Sequence, residues 1–239
     1  MPGSNLYVLY EDAIGELLEA ARDSNRDWFE QSLRVPEDRT VVTLPDGTKH
    51  RFRIPDESPE MEIAQAFVAV QTYEKIVRDE STDKRVRTHL ELMLSLHLLE
   101  TDIWHTILGN LLKVINGVCP TPRLLRGQCL EYKLKTMTEL LARCKTRTLA
   151  INSVYRTLCN QDIIDLRNAF SHSQYLLVPN KGDMVLTKWL GRKHPAGKKG
   201  QFLFSEIQDL FQRTLTFLTV LARIRREVLR NLPRNTRRP

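Results

Sequence analysis

Apolar residues recur every three or four positions over most of the chain, a spacing that is typical of amphipathic helices. Near the start, Ile14, Leu17 and Ala21 predict a first helix over residues 6–33. Similar stripes predict further helices, one that starts at Ser58 and others over 83–115, 121–144, 150–158, 161–172 and 205–229. The chain is therefore predicted to be mainly α, an antiparallel helical bundle.

Two stretches change to the alternating pattern of β-strands. Residues 40–44 and 50–54 flank a Pro-Asp-Gly-Thr turn at 45–48. Residues 184–190 and 201–204 flank a basic, glycine-rich stretch. Each arrangement predicts a small β-hairpin inserted between helices.

These elements divide the chain into three parts. Residues 1–58 are predicted to form an appendage of one helix and one hairpin. Residues 59–230 are predicted to form the helical bundle, with its hairpin at 184–204. Residues 231–239 hold two prolines and three arginines, which predicts a basic, disordered tail. A chain of 239 residues suits one core with modest additions.

The cysteines and the most apolar stretch indicate a cytoplasmic chain with no membrane partner. No Cys-x-x-Cys pair occurs, and we expect all four cysteines to be reduced and buried, namely Cys119, Cys129, Cys144 and Cys159. The first residues lack the basic segment and apolar core of a signal peptide. Residues 90–112 are interrupted by acidic and histidine residues, so they predict a buried helix and not a membrane span.

Basic residues are concentrated toward the end of the chain. The formal net charge is +7, and residues 188–239 hold 13 Lys/Arg against 3 Asp/Glu, while residues 1–187 hold 23 against 26. Such a region can follow a phosphate backbone. The predicted RNA-binding residues are Arg192, Lys193, Lys198 and Lys199 at the hairpin tip, with Arg223, Arg225, Arg226 and Arg230 on the last helix as a further basic stripe. The alternatives are a solvated basic face without a partner, or contact with an anionic membrane surface.

The helix predicted over 161–172 carries the most informative polar residues. Arg167, Asn168 and His172 stand among apolar positions, and burying a cation without a partner is costly. These side chains are therefore expected to face a cleft, a partner chain or an internal network. Asn168 and His172 share a helix face, whereas Arg167 and His172 lie roughly 140° apart. Two copies of the helix, meeting across a twofold axis, would bring arginines and histidines into one groove.

This set of groups suits the cutting of RNA by its own 2′-OH. The reaction needs a base for the hydroxyl, an acid for the leaving oxygen and positive charge for the phosphorane. Histidine titrates near neutrality and can act as base or acid. Arginine offers fixed donors to phosphate oxygens, and asparagine can hold the histidine ring or the sugar. The reaction requires no metal, and no cofactor is expected.

The segment Leu166-Arg-Asn-Ala-Phe-Ser-His172 resembles the Arg-polar-x-x-x-His signature of HEPN domains. The resemblance implies a helical bundle with the signature on a late helix, and a homodimer whose two signatures form a ribonuclease site. It implies that Arg167 binds phosphate, that Asn168 is the polar neighbour, and that His172 is the catalytic base or acid. Many family members are toxins, abortive-infection proteins or other anti-phage effectors, so an antitoxin or regulatory protein is a possible partner. Some of those toxins carry a modified tyrosine two residues after the histidine, whereas Tyr175 stands three after His172.

Two other interpretations of these polar residues stay open. Arg167 and His172 can belong to a polar network that fixes helix packing, in a non-catalytic module of the same fold that binds protein or RNA. His89, His97 and His105 invite a metal site, but a spacing of eight residues turns each histidine by roughly 80° from the last. We therefore expect no metal.

Overall fold

The computed structural model describes residues 3–33, 38–43, 49–54, 83–121, 124, 125, 127–144, 147–178, 183–186 and 200–232. Its helices are α1 (Gly3–Ser24), α2 (Arg26–Leu33), α3 (Lys84–Glu100), α4 (Asp102–Ile115), α5 (Leu130–Cys144), α6 (Leu149–Leu158), α7 (Gln161–Ser171) and α8 (Phe204–Asn231). Its strands are β1 (Asp38–Thr43), β2 (Lys49–Ile54), β3 (Tyr175–Val178), β4 (Asp183–Leu186) and β5 (Gln201–Leu203). The chain is mainly α, as predicted.

Three predictions concern segments outside the described residues. These are the helix that starts at Ser58, the tip of the second hairpin with its predicted RNA-binding residues, and the tail beyond Leu232. The division of the chain into an appendage, a bundle and a tail stays a prediction.

The first predicted helix is two helices, because Asn25 interrupts it. The Asn25 side-chain oxygen accepts a hydrogen bond from the backbone N–H of Trp28 at 3.0 Å. This bond caps the start of α2, and asparagine is among the residues that favour this position. The apolar stripe continues across the break, which is why spacing alone predicted one helix over 6–33.

The helix predicted over 83–115 is also two helices, separated at Thr101. The last carbonyls of a helix have no partner within it. Here Trp104 Nε1 donates to the carbonyl of Leu98 at 3.1 Å, and the Thr101 hydroxyl donates to the same carbonyl at 2.7 Å. His105 Nε2 lies 2.8 Å from the carbonyl of Leu99. The side chains of Thr101 and of the first turn of α4 thus satisfy the end of α3 and make the break favourable.

The segment before α5 is the other departure from the predicted helices. The helix was expected from Thr121, but α5 begins at Leu130, and Gly127 adopts a positive φ of 68° in the turn before it. Glycine alone adopts that conformation without steric cost. Two cysteines in this connection, Cys119 and Cys129, are exposed, so the prediction that all four are buried is wrong for them.

Within the described residues there are two small antiparallel sheets. The first is the predicted hairpin of β1 and β2, in which Thr40 pairs with Phe52. The second has the order β3-β4-β5, in which β4 and β5 pair antiparallel as the predicted hairpin and β3 is an additional strand. The additional strand, Tyr175–Val178, directly follows α7. A short apolar run of this length does not reveal by its spacing whether it is strand or helix.

The core is built around α8. Helices α1 and α3 lie along it, and α4 packs on α1, α2 and α5. Trp104 of α4 meets Phe217 of α8 edge to face, with ring centroids 5.5 Å apart, and both are buried. Among the described residues, none of the helices combines the length and the hydrophobicity needed to cross a lipid bilayer.

Candidate functional site

Helix α7 packs against the core through its apolar face. Asn160 caps it, because its side-chain oxygen accepts from the N–H of Ile163 at 3.1 Å. Ile164, Leu166 and Ala169 are buried. The helix orientation is therefore set by packing, and Arg167 and Asn168 are left half-buried at its edge.

Arg167 has two polar partners among the residues that the structure describes. Its Nε donates to Oε1 of Glu100, the last residue of α3, in an ion pair. Its Nη1 donates to the side-chain oxygen of Asn168 at 3.2 Å. Both side chains of the ion pair keep contact with solvent, at 29% exposure for Arg167 and 37% for Glu100. The guanidinium is thus held in place but remains reachable.

Arg167 and Glu100 line an open cleft of about 410 Å³ between α3, α7 and the start of α5. Gln128, Cys129 and Lys133 also line it. The ammonium group of Lys133 donates to the backbone carbonyl of Glu100, and the side chain is almost fully buried. Of the two cations that border this cleft, Lys133 is buried, and the guanidinium of Arg167 keeps contact with solvent and can meet an anionic ligand.

His172 stands at the exposed end of α7, one turn beyond Asn168. Its backbone N–H donates to the carbonyl of Asn168 at 3.1 Å and closes the helix. Ser173 follows with a positive φ of 52° and redirects the chain into β3. The structure thus joins Arg167 to Asn168 by a hydrogen bond, while within the described residues no contact joins either side chain to the His172 ring.

A second histidine lies beside the end of α7, and the sequence did not reveal it as a site residue. His89 of α3 has its ring centroid 5.1 Å from that of Phe170, and its Nδ1 lies 3.0 Å from the hydroxyl of Tyr175. Phe170 and Tyr175 stack, with centroids 5.5 Å apart and planes 13° apart. We call His89, Phe170 and Tyr175 the aromatic cluster. Burial raises the pKa of Tyr175, so its hydroxyl keeps its proton at neutral pH.

The other two histidines of the rejected metal site lie in different surroundings. His105 is fully buried, and burial, followed by the positive charge of Lys133, lowers its pKa to about 3 although the bond to Leu99 opposes this. His97 is exposed on α3. In the part of the chain that the structure describes, no three metal-binding side chains come together.

The arginine stripe of α8 is only partly available to a phosphate backbone. Arg225 is buried and donates through Nε to the carbonyl of Leu33 at 2.9 Å. Arg223 pairs with Glu11 at 2.5 Å and with Glu227 at 3.6 Å. The prediction that the whole stripe faces RNA is therefore wrong for Arg225, which holds α8 against the end of α2.

Comparison with protein-family models, curated proteins and solved structures found no match. The candidate site is therefore defined by the residues of this chain alone, namely Arg167, Asn168, His172 and the groups around them.

Proposed function

We propose that this chain is an endoribonuclease that cuts RNA by attack of a 2′-OH on the adjacent phosphate, with Arg167, Asn168 and His172 at its site. One observation carries the proposal. A single packed helix holds a guanidinium at the edge of an open cleft and presents an imidazole to solvent one turn beyond. These are the two kinds of group that the reaction needs.

The chemistry follows from these groups. A base removes the proton of the 2′-OH, the 2′ oxygen forms a bond to phosphorus, and the bond from phosphorus to the 5′ oxygen breaks. An acid protonates the departing 5′ oxygen. The products are a 2′,3′-cyclic phosphate and a 5′-hydroxyl, so no water is consumed. His172 supplies proton transfer, and Arg167 binds the phosphate oxygens on which negative charge develops.

Glu100 must give way when a phosphate reaches Arg167. In the free protein, its carboxylate forms an ion pair with the guanidinium of Arg167. An ion pair with this much exposure is worth about 0–1 kcal/mol, so a doubly hydrogen-bonded phosphate can replace it. Among the described residues, Nη2 of Arg167 makes no hydrogen bond, so its N–H groups can contact the phosphate before Glu100 leaves.

The biological setting is part of the proposal and follows from the resemblance to HEPN domains. The protein would act in the cytoplasm as a toxin or an anti-phage effector, with RNA as its substrate. It would form a homodimer, and an antitoxin or regulatory protein would restrain it. The basic hairpin tip with Arg192, Lys193, Lys198 and Lys199 would add RNA contacts.

The test is RNA cleavage in EDTA by the wild type, Arg167→Ala and His172→Ala, with total RNA as substrate. Arg156→Ala is a matched control, because Arg156 is an exposed helical arginine that bonds Asn152 at 2.9 Å, within its own helix. The wild type and the control should cut, and the two site variants should lose roughly 10²-fold or more in rate. Equal cutting by all four folded proteins would reject the assignment of the site.

A second candidate function is a non-catalytic module of the same kind that binds protein or RNA. The observation that favours it is the pair of hydrogen bonds made by the Arg167 side chain. They join α7 to the end of α3, as a purely structural interaction would. On this view Arg167→Ala lowers the free energy of unfolding and His172→Ala changes nothing, while no protein of the series cuts RNA. Urea unfolding of the same proteins separates the two functions.

A further inference from the structure

We infer that His89 is the second acid–base residue of this site, working with His172 of the same chain. The inference rests on the proposed ribonuclease function. That reaction needs one group to accept a proton and another to give one, and within one chain His172 supplies a single imidazole.

The contacts of His89 bracket His172 in the sequence. Phe170 stands two residues before His172 and touches the His89 ring, while Tyr175 stands three residues after it and bonds Nδ1 of His89. The chain turns sharply between these two contacts, at Ser173. Both neighbours of the turn are therefore fixed against His89, which places His89 at the end of α7 where His172 is exposed.

The bond to Tyr175 suits a residue that changes its proton state. A hydroxyl can donate to Nδ1 of a neutral imidazole and accept from Nδ1–H of a charged one. It orients the ring in both states, whereas a carboxylate would favour the charged state alone. Because Nδ1 is engaged, Nε2 is the atom left to exchange a proton with RNA. His89 is half-buried, so that atom need not lie in the core.

The other histidines of this region do not meet these requirements. His105 is enclosed, with Nε2 bound to the Leu99 carbonyl and Nδ1 at 3.4 Å from the hydroxyl of Tyr155. His97 lies on α3 with His89, is exposed, and has no ring or hydrogen-bond contact of its side chain among the described residues. His97 therefore serves as a matched control for His89.

With His89 in this role, a second copy of the chain contributes differently to the reaction. One histidine of the pair accepts the 2′ proton and the other protonates the 5′ oxygen, and the pair returns to its starting state after the two protons are exchanged with water. Both groups come from one chain. A second copy is then not needed to supply the missing proton donor or acceptor.

The test compares the cleavage rates of His89→Ala, His89→Gln and His97→Ala with that of the wild type. Both His89 variants should lose roughly 10²-fold or more, and His97→Ala should lose little. Glutamine can still hydrogen-bond Tyr175, so it should restore activity if His89 only supports the packing of the aromatic cluster. Rescue by glutamine, or full activity of His89→Ala, would overturn the inference while leaving the proposed function intact. A wild type that cuts no RNA would reject both.

A modified RNA then shows how the two histidines divide the work. Sulfur in place of the 5′ bridging oxygen leaves without a proton, so it removes the need for the acid. This substrate should restore cutting by one of His89→Ala and His172→Ala and not by the other. Rescue of both variants, or of neither, would contradict a pair made of one acid and one base.

Discussion

Helix α3 has a histidine environment near each end, and the two differ in access to water. At its C-terminal end, His105 and Trp104 bind the last carbonyls and are buried, with the hydrogen-bonding atoms of both rings occupied. Near its start, His89 bonds Tyr175 through one nitrogen and remains half-exposed. Around Trp104 and His105 no ring nitrogen remains to bind a ligand, whereas Nε2 of His89 does remain. Polar residues of the same type thus stabilise the fold at one end and are available for chemistry at the other.

The largest expected effect is the loss of stability when a buried side chain at the C-terminal end of α3 is removed. Trp104→Ala removes a ring that packs on Phe217 and a donor to Leu98. Substitutions of this kind cost about 3–5 kcal/mol, because a cavity adds to the lost burial. Urea unfolding should show this loss. A loss below about 1 kcal/mol would mean that the break between α3 and α4 does not depend on this packing.

The second effect concerns pH, again at the buried end. The pKa of His105 lies near 3 when folded and near 6.5 in an ordinary histidine. As pH falls below about 6.5, the unfolded chain takes up a proton that the folded chain does not, so stability decreases down to about pH 3. Between about pH 7 and about pH 4.5, the wild type should lose about 2–3 kcal/mol more than His105→Gln. Parallel losses in urea unfolding would show that His105 is not held neutral.

Smaller effects on stability and on RNA affinity are expected at Glu100, where α3 borders the cleft. Glu100→Gln removes the carboxylate that occupies Arg167, with a change in unfolding free energy of about 0–1 kcal/mol. RNA affinity should rise by up to about fivefold, the equivalent of about 1 kcal/mol. Fluorescence anisotropy with a labelled, non-cleavable 2′-O-methyl RNA measures this. Glu139→Gln, at an exposed position of α5, is the control, and weaker binding by Glu100→Gln would contradict the account.

An effect of similar size should come from the hydroxyl of Tyr175 in the aromatic cluster. Tyr175→Phe keeps the stacking on Phe170 and removes the bond to His89. A hydrogen bond of this type contributes about 0.5–1.5 kcal/mol, so stability should change by no more than that. The cleavage rate should fall several-fold because the His89 ring is less well oriented. A rate equal to that of the wild type would show that Tyr175 does not position His89.

Local signals predicted most of the fold. The apolar stripe over 161–172 predicted α7, and the alternating residues on either side of 45–48 predicted the first hairpin. The breaks at Asn25 and Thr101 were missed because the apolar spacing runs through both. The break at Thr101 also depends on Lys133, which binds the carbonyl of Glu100 from a position 33 residues away.

The candidate site was predictable only where its residues are neighbours in sequence. Arg167, Asn168 and His172 belong to one helix, and their spacing singled them out. Glu100 lies 67 residues from Arg167, and His89 lies 86 residues from Tyr175. No periodicity links positions so far apart, so only the packing of α3 beside α7 and β3 brings them to the site.

The most direct measurement of the central claim is the chemistry of the cut ends, determined by mass spectrometry of an RNA cleaved by the wild type in EDTA. Attack by the 2′-OH predicts a 2′,3′-cyclic phosphate, or the phosphate formed from it, on one fragment and a 5′-hydroxyl on the other. It also predicts no cutting of the same sequence made with 2′-O-methyl groups. Fragments that carry a 5′-phosphate and a 3′-hydroxyl, or cutting of the methylated RNA, would contradict the account.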